Sequence, residues 1–347
     1  MYEQSGSNSS ASTLIYYDDK SRPEYLYYDI AYAVGSASAV LETVYINEYN
    51  EDGNVDKYRV ESGSTKYHFD PEYDSMDRVK KRTVNLIASA GTLTHTVEYG
   101  FTANGTNTSL QVSGYVSKIS GVIVNQYQYV YDNNGNIIQI KNGSGVIQNQ
   151  YAYDDLGQLV REDNRALNKS YTYSYDNAGN ITSRKTYSFT TGTLGTATKT
   201  ESYTYGNASW GDLVTSINGY SITYDAVGNP LTYYTGGLDS VLTWTNGRQL
   251  ASFENMDGLR TYTYNDEGIR TSRTVNGVEH KYQLNGTQIV SETWGNHTIF
   301  YVYDENGSIA GMRYRTSLSI NKRLSQLLPK KLLTQLFVFI CLFQMRL

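Results

Sequence analysis

The sequence predicts an all-β protein made of tandem β-hairpins, and two observations carry that prediction. The first is composition: the 347 residues include 35 Tyr and 30 Gly but only 4 Pro. Tyr, Thr, Val and Ile suit the pleated surface of a strand, whereas Gly and Asn suit turns. The second is a short phrase that recurs with a period of about twenty residues, which indicates an array of supersecondary units. Amphipathic stretches of helical period are nearly absent before residue 316.

The recurring phrase runs aromatic, any residue, Tyr, Asp, two residues, Gly. Its clearest copies are YVYDNNGNI (129–137), YAYDDLGQL (151–159), YSYDNAGNI (173–181), ITYDAVGNP (222–230), YTYNDEGIR (262–270) and YVYDENGSI (301–309). Weaker copies lie at 203–207, 242–250 and 281–289, and decayed ones at 47–55 and 66–79. A single hairpin is not stable in water, so the copies must pack against one another. The array is therefore predicted to be a scaffold.

Each copy contains the residues of a type I turn. Asp suits the first turn position because its carboxylate accepts hydrogen bonds from backbone N–H groups, and Gly suits the fourth because it takes a positive φ. The predicted turn residues are Asp132 and Gly135, Asp154 and Gly157, Asp176 and Gly179, Asp225 and Gly228, Asn265 and Gly268, and Asp304 and Gly307.

In the phrases that begin with Tyr, the two tyrosines are two positions apart, so both point to one face of the incoming strand. We expect these rings to stack into ladders between neighbouring hairpins, since cross-strand aromatic pairs are favourable. The repeat aromatics are Tyr129, Tyr131, Tyr151, Tyr153, Tyr173, Tyr175, Tyr224, Tyr262, Tyr264, Tyr301 and Tyr303.

Three regions follow from the repeat pattern. Residues 1–120 are a degenerate version of the repeat region, 121–315 are the repeat array, and 316–347 are a basic, apolar tail predicted to lie outside the fold. The tail has no Gly and no Tyr, where the chain average predicts roughly three of each. Its apolar run 332–343 is shorter than the roughly twenty residues of a membrane span, so no stable transmembrane segment is predicted.

Charge, cysteine content and the amino terminus narrow the class of protein. A net charge of −5 without a basic stripe gives no support to a nucleic-acid partner. The lone Cys341 excludes a disulfide within the chain. The start MYEQSGSNSS is not a signal peptide, because it lacks a basic start and an apolar run. We expect the chain to be an internal piece of a longer secreted or cell-surface protein.

Catalytic and metal-binding motifs are missing from the sequence, so no enzyme activity, cofactor or metal site is predicted. No nucleophile elbow, P-loop or dinucleotide fingerprint occurs, and the four histidines, His68, His95, His280 and His297, are far apart. The acidic stretch 51–56 is the best calcium candidate, but it suits a solvated turn better. A pair of carboxylates for glycoside hydrolysis stays an open alternative, although no pair stands out.

The aromatic residues leave one binding function open. Tyr and Trp offer flat apolar faces with a polar edge, which suit sugar rings, and Trp210, Trp244 and Trp294 lie inside the repeat region. The competing interpretation, which we favour, is that these rings pack between neighbouring hairpins. The alternative to a scaffold is therefore a carbohydrate-binding or adhesive module at the cell surface.

The six clear phrases resemble the RHS or YD-repeat family, which includes bacterial polymorphic toxins, wall-associated proteins of Gram-positive bacteria and animal teneurins. The resemblance covers about residues 121–315. It implies a long β-sheet strip that spirals into a hollow shell, secretion or cell-surface display, and in bacterial members a C-terminal toxin cargo inside the shell. The repeat text ends near GMRYR (311–315), and the closing segment and toxin of such members have no counterpart here. The chain is therefore interpreted as a truncated, non-catalytic part of such a shell.

Overall fold

The computed structural model of the chain describes residues 2–6, 9–34, 37–104, 107–235, 238–304 and 306–316. Within these ranges the regular structure consists of 27 β-strands and contains no helix. The predicted all-β class of tandem hairpins is confirmed. The prediction that the tail 316–347 is not part of the fold concerns residues outside the described ranges, apart from Thr316, which ends the last strand.

The first fourteen strands cover the decayed region and the first repeats. They are β1 (Tyr2–Gly6), β2 (Ser9–Tyr17), β3 (Pro23–Val34), β4 (Ala37–Tyr49), β5 (Val55–Ser62), β6 (Thr65–Tyr73), β7 (Val79–Ala88), β8 (Gly91–Asn104), β9 (Asn107–Ile119), β10 (Val122–Tyr131), β11 (Ile137–Asn142), β12 (Ile147–Tyr153), β13 (Leu159–Asn164) and β14 (Lys169–Tyr175).

The remaining thirteen strands complete the repeat array. They are β15 (Ile181–Ser188), β16 (Lys199–Thr204), β17 (Ser216–Ile217), β18 (Tyr220–Ser221), β19 (Thr232–Thr235), β20 (Leu238–Thr245), β21 (Gln249–Asn255), β22 (Gly258–Tyr264), β23 (Arg270–Val275), β24 (Val278–Asn285), β25 (Gln288–Trp294), β26 (His297–Tyr303) and β27 (Ile309–Thr316).

Alternation of buried and half-buried residues explains why these segments form strands. In β5, Tyr58 and Val60 are buried with a more exposed residue between them, and in β6 the same holds for Tyr67 and Phe69. The two strands pair antiparallel with Tyr58 opposite Phe69 and Val60 opposite Tyr67. Because side chains alternate between the faces of a strand, this register places all four on one face.

The chain forms two compact units. Among the described residues, the first contains those within 1–97, 118–122 and 262–316, and the second contains those within 98–117 and 123–261. The two units reflect which residues contact one another, whereas the predicted boundaries at residues 120 and 315 follow from the positions of the repeat copies in the sequence. The sequence-based division therefore stays a prediction.

The first unit buries one core between amino-terminal and carboxy-terminal strands. Phe69 and Val60 are fully buried and belong to one cluster with Phe300 and Val302. At the edge of this cluster, the hydroxyl of Tyr28 donates to the carbonyl oxygen of Leu284 at 3.2 Å. Strands that are far apart in sequence thus share a core, which the local repeat text could not predict.

The second unit contains a regular antiparallel run from β10 to β16. Each strand pairs with the next along the chain. One face carries Tyr151, Glu162 and Tyr171 in a row across three strands. The other face carries Asp163 and Ser170, which are opposite one another and fully buried.

Candidate functional site

The turn at Asp132 shows the local chemistry of the repeat. One carboxylate oxygen, Oδ1, accepts hydrogen bonds from the backbone N–H groups of Asn134 at 2.9 Å and Asn136 at 2.8 Å. The other, Oδ2, accepts from the Asn136 side-chain amide at 3.0 Å. The backbone closes the turn, because Asp132 N–H donates to the Asn136 carbonyl and Gly135 N–H donates to the Asp132 carbonyl. One acidic side chain thus satisfies three donors.

The other predicted turns share this arrangement. The first residue of each turn accepts a hydrogen bond from the backbone N–H four residues later, at Asp154, Asp176, Asp225, Asn265 and Asp304. The fourth residues, Gly135, Gly157, Gly179, Gly228, Gly268 and Gly307, all have φ between 75° and 88°. That φ lies in the left-handed region, which Gly adopts without steric cost.

Sequence reasoning missed one turn of the same kind, at Asp18, and left three more, at Asn50, Asp74 and Asn142, without an assigned role. Asn50 and Asp74 lie in the decayed copies 47–55 and 66–79. The turns of Asp18 and Asp74 do not match the Gly pattern because their fourth positions hold Ser21 and Asp77, with φ of 61° and 56°. At both, an Arg four residues after the Asp was the available signal, because its side chain pairs with the carboxylate.

At several turns the hydrogen bonds lower the pKa of the carboxylate. The guanidinium of Arg78 donates to Asp74 and, with the backbone N–H groups of Met76 and Arg78, lowers the pKa of Asp74 to about 2. At Asp132 and Asp176 the side-chain amide four residues later is the first cause of a lowered pKa. Hydrogen bonds to the charged form favour ionisation, so these turns are built to hold a carboxylate anion.

At seven of the turns, the aromatic residue just before the turn ties it to a backbone carbonyl earlier in the chain. Its hydroxyl, or the indole N–H of Trp244, donates to a backbone carbonyl, a contact that we call the aromatic staple. Seven staples start from a residue directly before a turn: Tyr49 to Pro23, Tyr73 to Val55, Tyr131 to Val112, Tyr153 to Ile137, Tyr175 to Leu159, Tyr224 to Val214 and Tyr303 to Ile289. Two related contacts are Tyr205 to Ile181 and Trp244 to Pro230. These hydrogen bonds thus connect the turns to earlier residues of the array.

A break in strand register accompanies the staple. The pairing shifts between Ala152 and Tyr153, and likewise between Ser174 and Tyr175 and between Val302 and Tyr303. A β-bulge re-aims the side chain of the bulged strand, so it positions the ring to reach past the ladder to the neighbouring carbonyl. The two aromatic residues of one phrase, which were expected to lie side by side, therefore have different environments.

The first aromatic of the phrase contacts a carboxylate in two repeats. Tyr173 donates to Glu162 at 3.3 Å, and burial followed by the charge of Glu162 raises the pKa of Tyr173 to about 12. Tyr301 donates to Glu292 at 2.9 Å, and burial raises its pKa as well. Ring stacking between successive repeats stays a prediction for these residues. Cross-strand ring contacts do occur elsewhere, as between Tyr58 and Phe69 at 5.5 Å.

Glu292 is the centre of a polar cluster in the first unit. Its carboxylate, 8% exposed, contacts His280 Nδ1 at 2.6 Å, Arg273 Nη2 at 2.9 Å and the Tyr301 hydroxyl. Burial alone would raise the pKa of Glu292, but the hydrogen bonds from His280 and Tyr301 and the charge of Arg273 lower it. Each carboxylate oxygen is satisfied, so the cluster has the features of a structural network.

The three tryptophans have packing or hydrogen-bonding partners. Trp244 is a staple, and Trp210 covers Gly228 in a repeat turn. Trp294 is stacked between His280 at 5.0 Å and His297 at 5.2 Å, with nearly parallel rings. The rings of Trp210 and Trp294 are thus at least partly covered by the protein itself, as the packing interpretation expects.

The remaining candidates have local partners. Arg270 stacks over Tyr262 at 4.3 Å and over Tyr264 at 5.7 Å. Burial lowers the pKa of His68 and of His95. In the described ranges no three His, Cys, Asp or Glu side chains are arranged so that they could hold a metal ion. Cys341 lies outside those ranges. Among the described residues no helix has the length and apolar character needed to cross a membrane.

A polar groove of about 540 Å³ lies between two consecutive turns of the second unit, and we call it the turn groove. Its lining includes Asp132, Asp154, Gln139 and Gln150, of which the two Gln residues are opposite one another in the sheet. Tyr151 also lines it. Carboxylates, amides and a phenol without a cation suit a neutral ligand with several hydroxyl groups.

Tandem antiparallel hairpins with capped turns and aromatic staples define a structural β-repeat protein. The chain resembles the RHS/YD-repeat family: residues 153–193 match the family model described as RHS Repeat. This segment begins at the Tyr153 staple, contains the turns of Asp154 and Asp176, and ends beyond β15. The resemblance stated from the repeat phrases is thus supported by an independent match within the array.

Comparison with other proteins adds little to that match. No curated protein matches the chain. Among solved structures, a porin-like protein from Bacteroides uniformis ATCC 8492 is 10% identical, with 90% of this chain and 94% of that chain covered and a TM-score of 0.24. A TM-score this low supports no inference about this chain.

Proposed function

We propose that the chain is a non-catalytic wall segment of a secreted or cell-surface RHS-type protein. The observation that carries the proposal is the aromatic staple, which joins consecutive repeats through backbone carbonyls that every residue type supplies. Because the acceptor is a backbone carbonyl, the contact does not depend on which side chain the acceptor residue has. The same contact can therefore recur in many repeats of differing sequence, as a long wall requires. In full-length relatives the space behind such a wall would hold a C-terminal toxin cargo.

Surface labelling tests this proposal. Intact cells that produce the chain with an epitope tag in the exposed loop at Leu167, which is 59% exposed, would be stained with antibody before and after protease treatment. A wall segment at the surface predicts staining of intact cells that protease removes. Staining that requires lysis of the cells would contradict the proposal.

The turn groove favours a second candidate function, binding of a neutral oligosaccharide. Gln139 and Gln150 both line the groove, where their side-chain amides could hydrogen-bond to sugar hydroxyls. Calorimetric titration with a panel of neutral oligosaccharides tests it. Binding should be lost in Gln150→Ala and kept in Gln148→Ala, whose side chain donates to the nearby Val146 carbonyl. Equal binding by both variants would count against the groove.

A further inference from the structure

The backbone ladder of the second unit is interrupted between β18 and β19, a junction that we call the seam. The two strands belong to different sheets. β17 and β18 contain two residues each. Beside them, the backbone is joined by an isolated bridge between Tyr224 and Pro230 and by the Leu231 N–H donating to the Thr223 carbonyl at 2.7 Å. Side chains must therefore supply part of the connection at the seam.

Two tyrosines face each other across the seam. The rings of Tyr220 in β18 and Tyr234 in β19 have centroids 3.8 Å apart and planes inclined by 12°. Other tyrosine pairs are wider, with 5.6 Å between Tyr115 and Tyr127. Tyr220 is held in place by the tight turn before it, in which Asn218 has a positive φ of 52°. At this distance the two rings are in van der Waals contact.

The orientation of the two rings is as informative as their distance. A hydrogen bond between the two phenols is the first cause that raises the pKa of Tyr234. The ring planes are nearly parallel and the centroids are only 3.8 Å apart, so the two rings overlap face to face. Carbon atoms of one ring therefore lie close to carbon atoms of the other. Tyr220 is also 49% exposed, so an oxidant in solution can reach it.

We propose that Tyr220 and Tyr234 are a site of oxidative cross-linking, at which a dityrosine bond fastens the seam. An external one-electron oxidant of the haem peroxidase class, using hydrogen peroxide, removes one electron and one proton from each phenol. The two radicals pair their electrons in a carbon–carbon bond between the ring carbons adjacent to the hydroxyls. The hydrogens on those carbons then move to the oxygens, and the peroxide leaves as two molecules of water.

The cross-link would replace the missing ladder with a covalent tie. Thirteen residues lie between the two tyrosines in sequence, so the bond closes a loop that includes the turn of Asp225. A closed loop has fewer conformations when unfolded, which stabilises the folded state. This inference goes beyond the proposed wall function and does not depend on where the protein acts.

Peptide mapping tests the proposal on the full-length chain. Dilute protein is treated with a haem peroxidase and hydrogen peroxide, then cleaved on the amino side of Asp residues. Cleavage before Asp212, Asp225 and Asp239 places the two tyrosines on separate peptides. The expected result is one dominant linked pair of peptides, lighter by two hydrogen atoms than their sum, with the blue emission of dityrosine.

Phe variants and oxidation in urea test whether the linked peptides come from Tyr220 and Tyr234 in the folded chain. The linked pair should disappear in Tyr220→Phe and in Tyr234→Phe, and persist in the control Tyr115→Phe. It should also fall to background when the chain is oxidised in urea, because the linkage then depends on chance encounters. The proposal is overturned if the native chain gives no linked pair, if the pair survives in Tyr220→Phe, or if urea leaves its yield unchanged.

Discussion

The hydroxyl of Tyr153 donates a hydrogen bond to the carbonyl oxygen of Ile137 at 2.9 Å. Ile137 is the first residue of β11, directly after the turn of Asp132, and Tyr153 is the residue directly before the turn of Asp154. One repeat later, Tyr175 makes the same contact with Leu159 at 2.8 Å. The Tyr–Asp pair of the phrase thus has two tasks, since Tyr joins a turn to the previous repeat and Asp shapes the turn itself.

Stability should fall in acid because several turn carboxylates, including those of Asp74, Asp132 and Asp176, have lowered pKa values. The pKa of Asp74 is about 2 when folded, against an ordinary value of 3.8. A depressed folded pKa gives stability that is present above the ordinary value and is lost as pH falls through the folded value. We expect the urea midpoint to decrease from about pH 4 to pH 2, and to decrease less in Asp74→Asn. An identical decrease in both proteins would contradict this assignment.

The turn at Asp176 should tolerate Asn better than Ala. Asn keeps an oxygen that can accept from the backbone N–H groups of Ala178 and Asn180, as Asn142 and Asn265 do in their own turns. Ala leaves these donors without a side-chain acceptor. We expect a lower thermal unfolding temperature for Asp176→Ala than for Asp176→Asn. Equal temperatures would show that the side-chain acceptor does not matter.

Gly228 should be harder to replace than Gly219, although both have φ near 84°. A Cβ at Gly219 would meet nothing within 4 Å, whereas one at Gly228 would overlap the Trp210 ring. Gly219→Ala should cost about 1–2 kcal/mol of unfolding free energy from the left-handed backbone alone, and Gly228→Ala should cost more. Adding Trp210→Ala to Gly228→Ala should remove the excess. If the excess persisted in the double variant, ring overlap would not be its cause.

Glu292→Gln should destabilise the first unit. The substitution removes the charge that Arg273, His280 and Tyr301 surround, and hydrogen bonds to a charged group contribute about 1.5–3 kcal/mol. Arg273 is 40% exposed, so solvent screens part of the loss. We therefore expect a decrease of about 1–2 kcal/mol in the free energy of unfolding. The control Glu279→Gln alters a surface pair with Lys281 and should change it by less than about 0.5 kcal/mol. Equal effects would refute a special role for Glu292.

The fold class and the turns followed from local sequence. Alternation in segments such as Val55–Ser62 predicts strands, and Asp or Asn followed by Gly predicts the turns. Turns with Ser21 or Asp77 at the fourth position were not assigned because the left-handed residue there was not Gly. The physical requirement was a positive φ, which Gly meets most readily but not exclusively.

The staples could not be predicted from the local amino-acid sequence. Their acceptors are backbone carbonyls, which carry no residue signature, and the donor and acceptor are between 10 and 26 residues apart in sequence. Only strand register brings Tyr153 next to Ile137. The shared core of Phe69 and Phe300 likewise depends on packing between distant strands. The spacing of the repeats predicts which hairpins are adjacent in the array. The staples and the shared core depend in addition on the register of the strands and on packing between distant strands.

The central claim is that the repeat tyrosines act through their hydroxyls as joints between repeats. The direct measurement is the urea-unfolding midpoint, with amide hydrogen exchange in β11–β15, of the triple variant Tyr131→Phe, Tyr153→Phe, Tyr175→Phe. Phe keeps each ring and removes only the staple, so each change should cost about 0.5–1.5 kcal/mol. The control replaces three exposed tyrosines, Tyr16, Tyr17 and Tyr233, by Phe. The account predicts a clear loss of stability and faster exchange in the staple variant alone; equal behaviour of the two triple variants would contradict it.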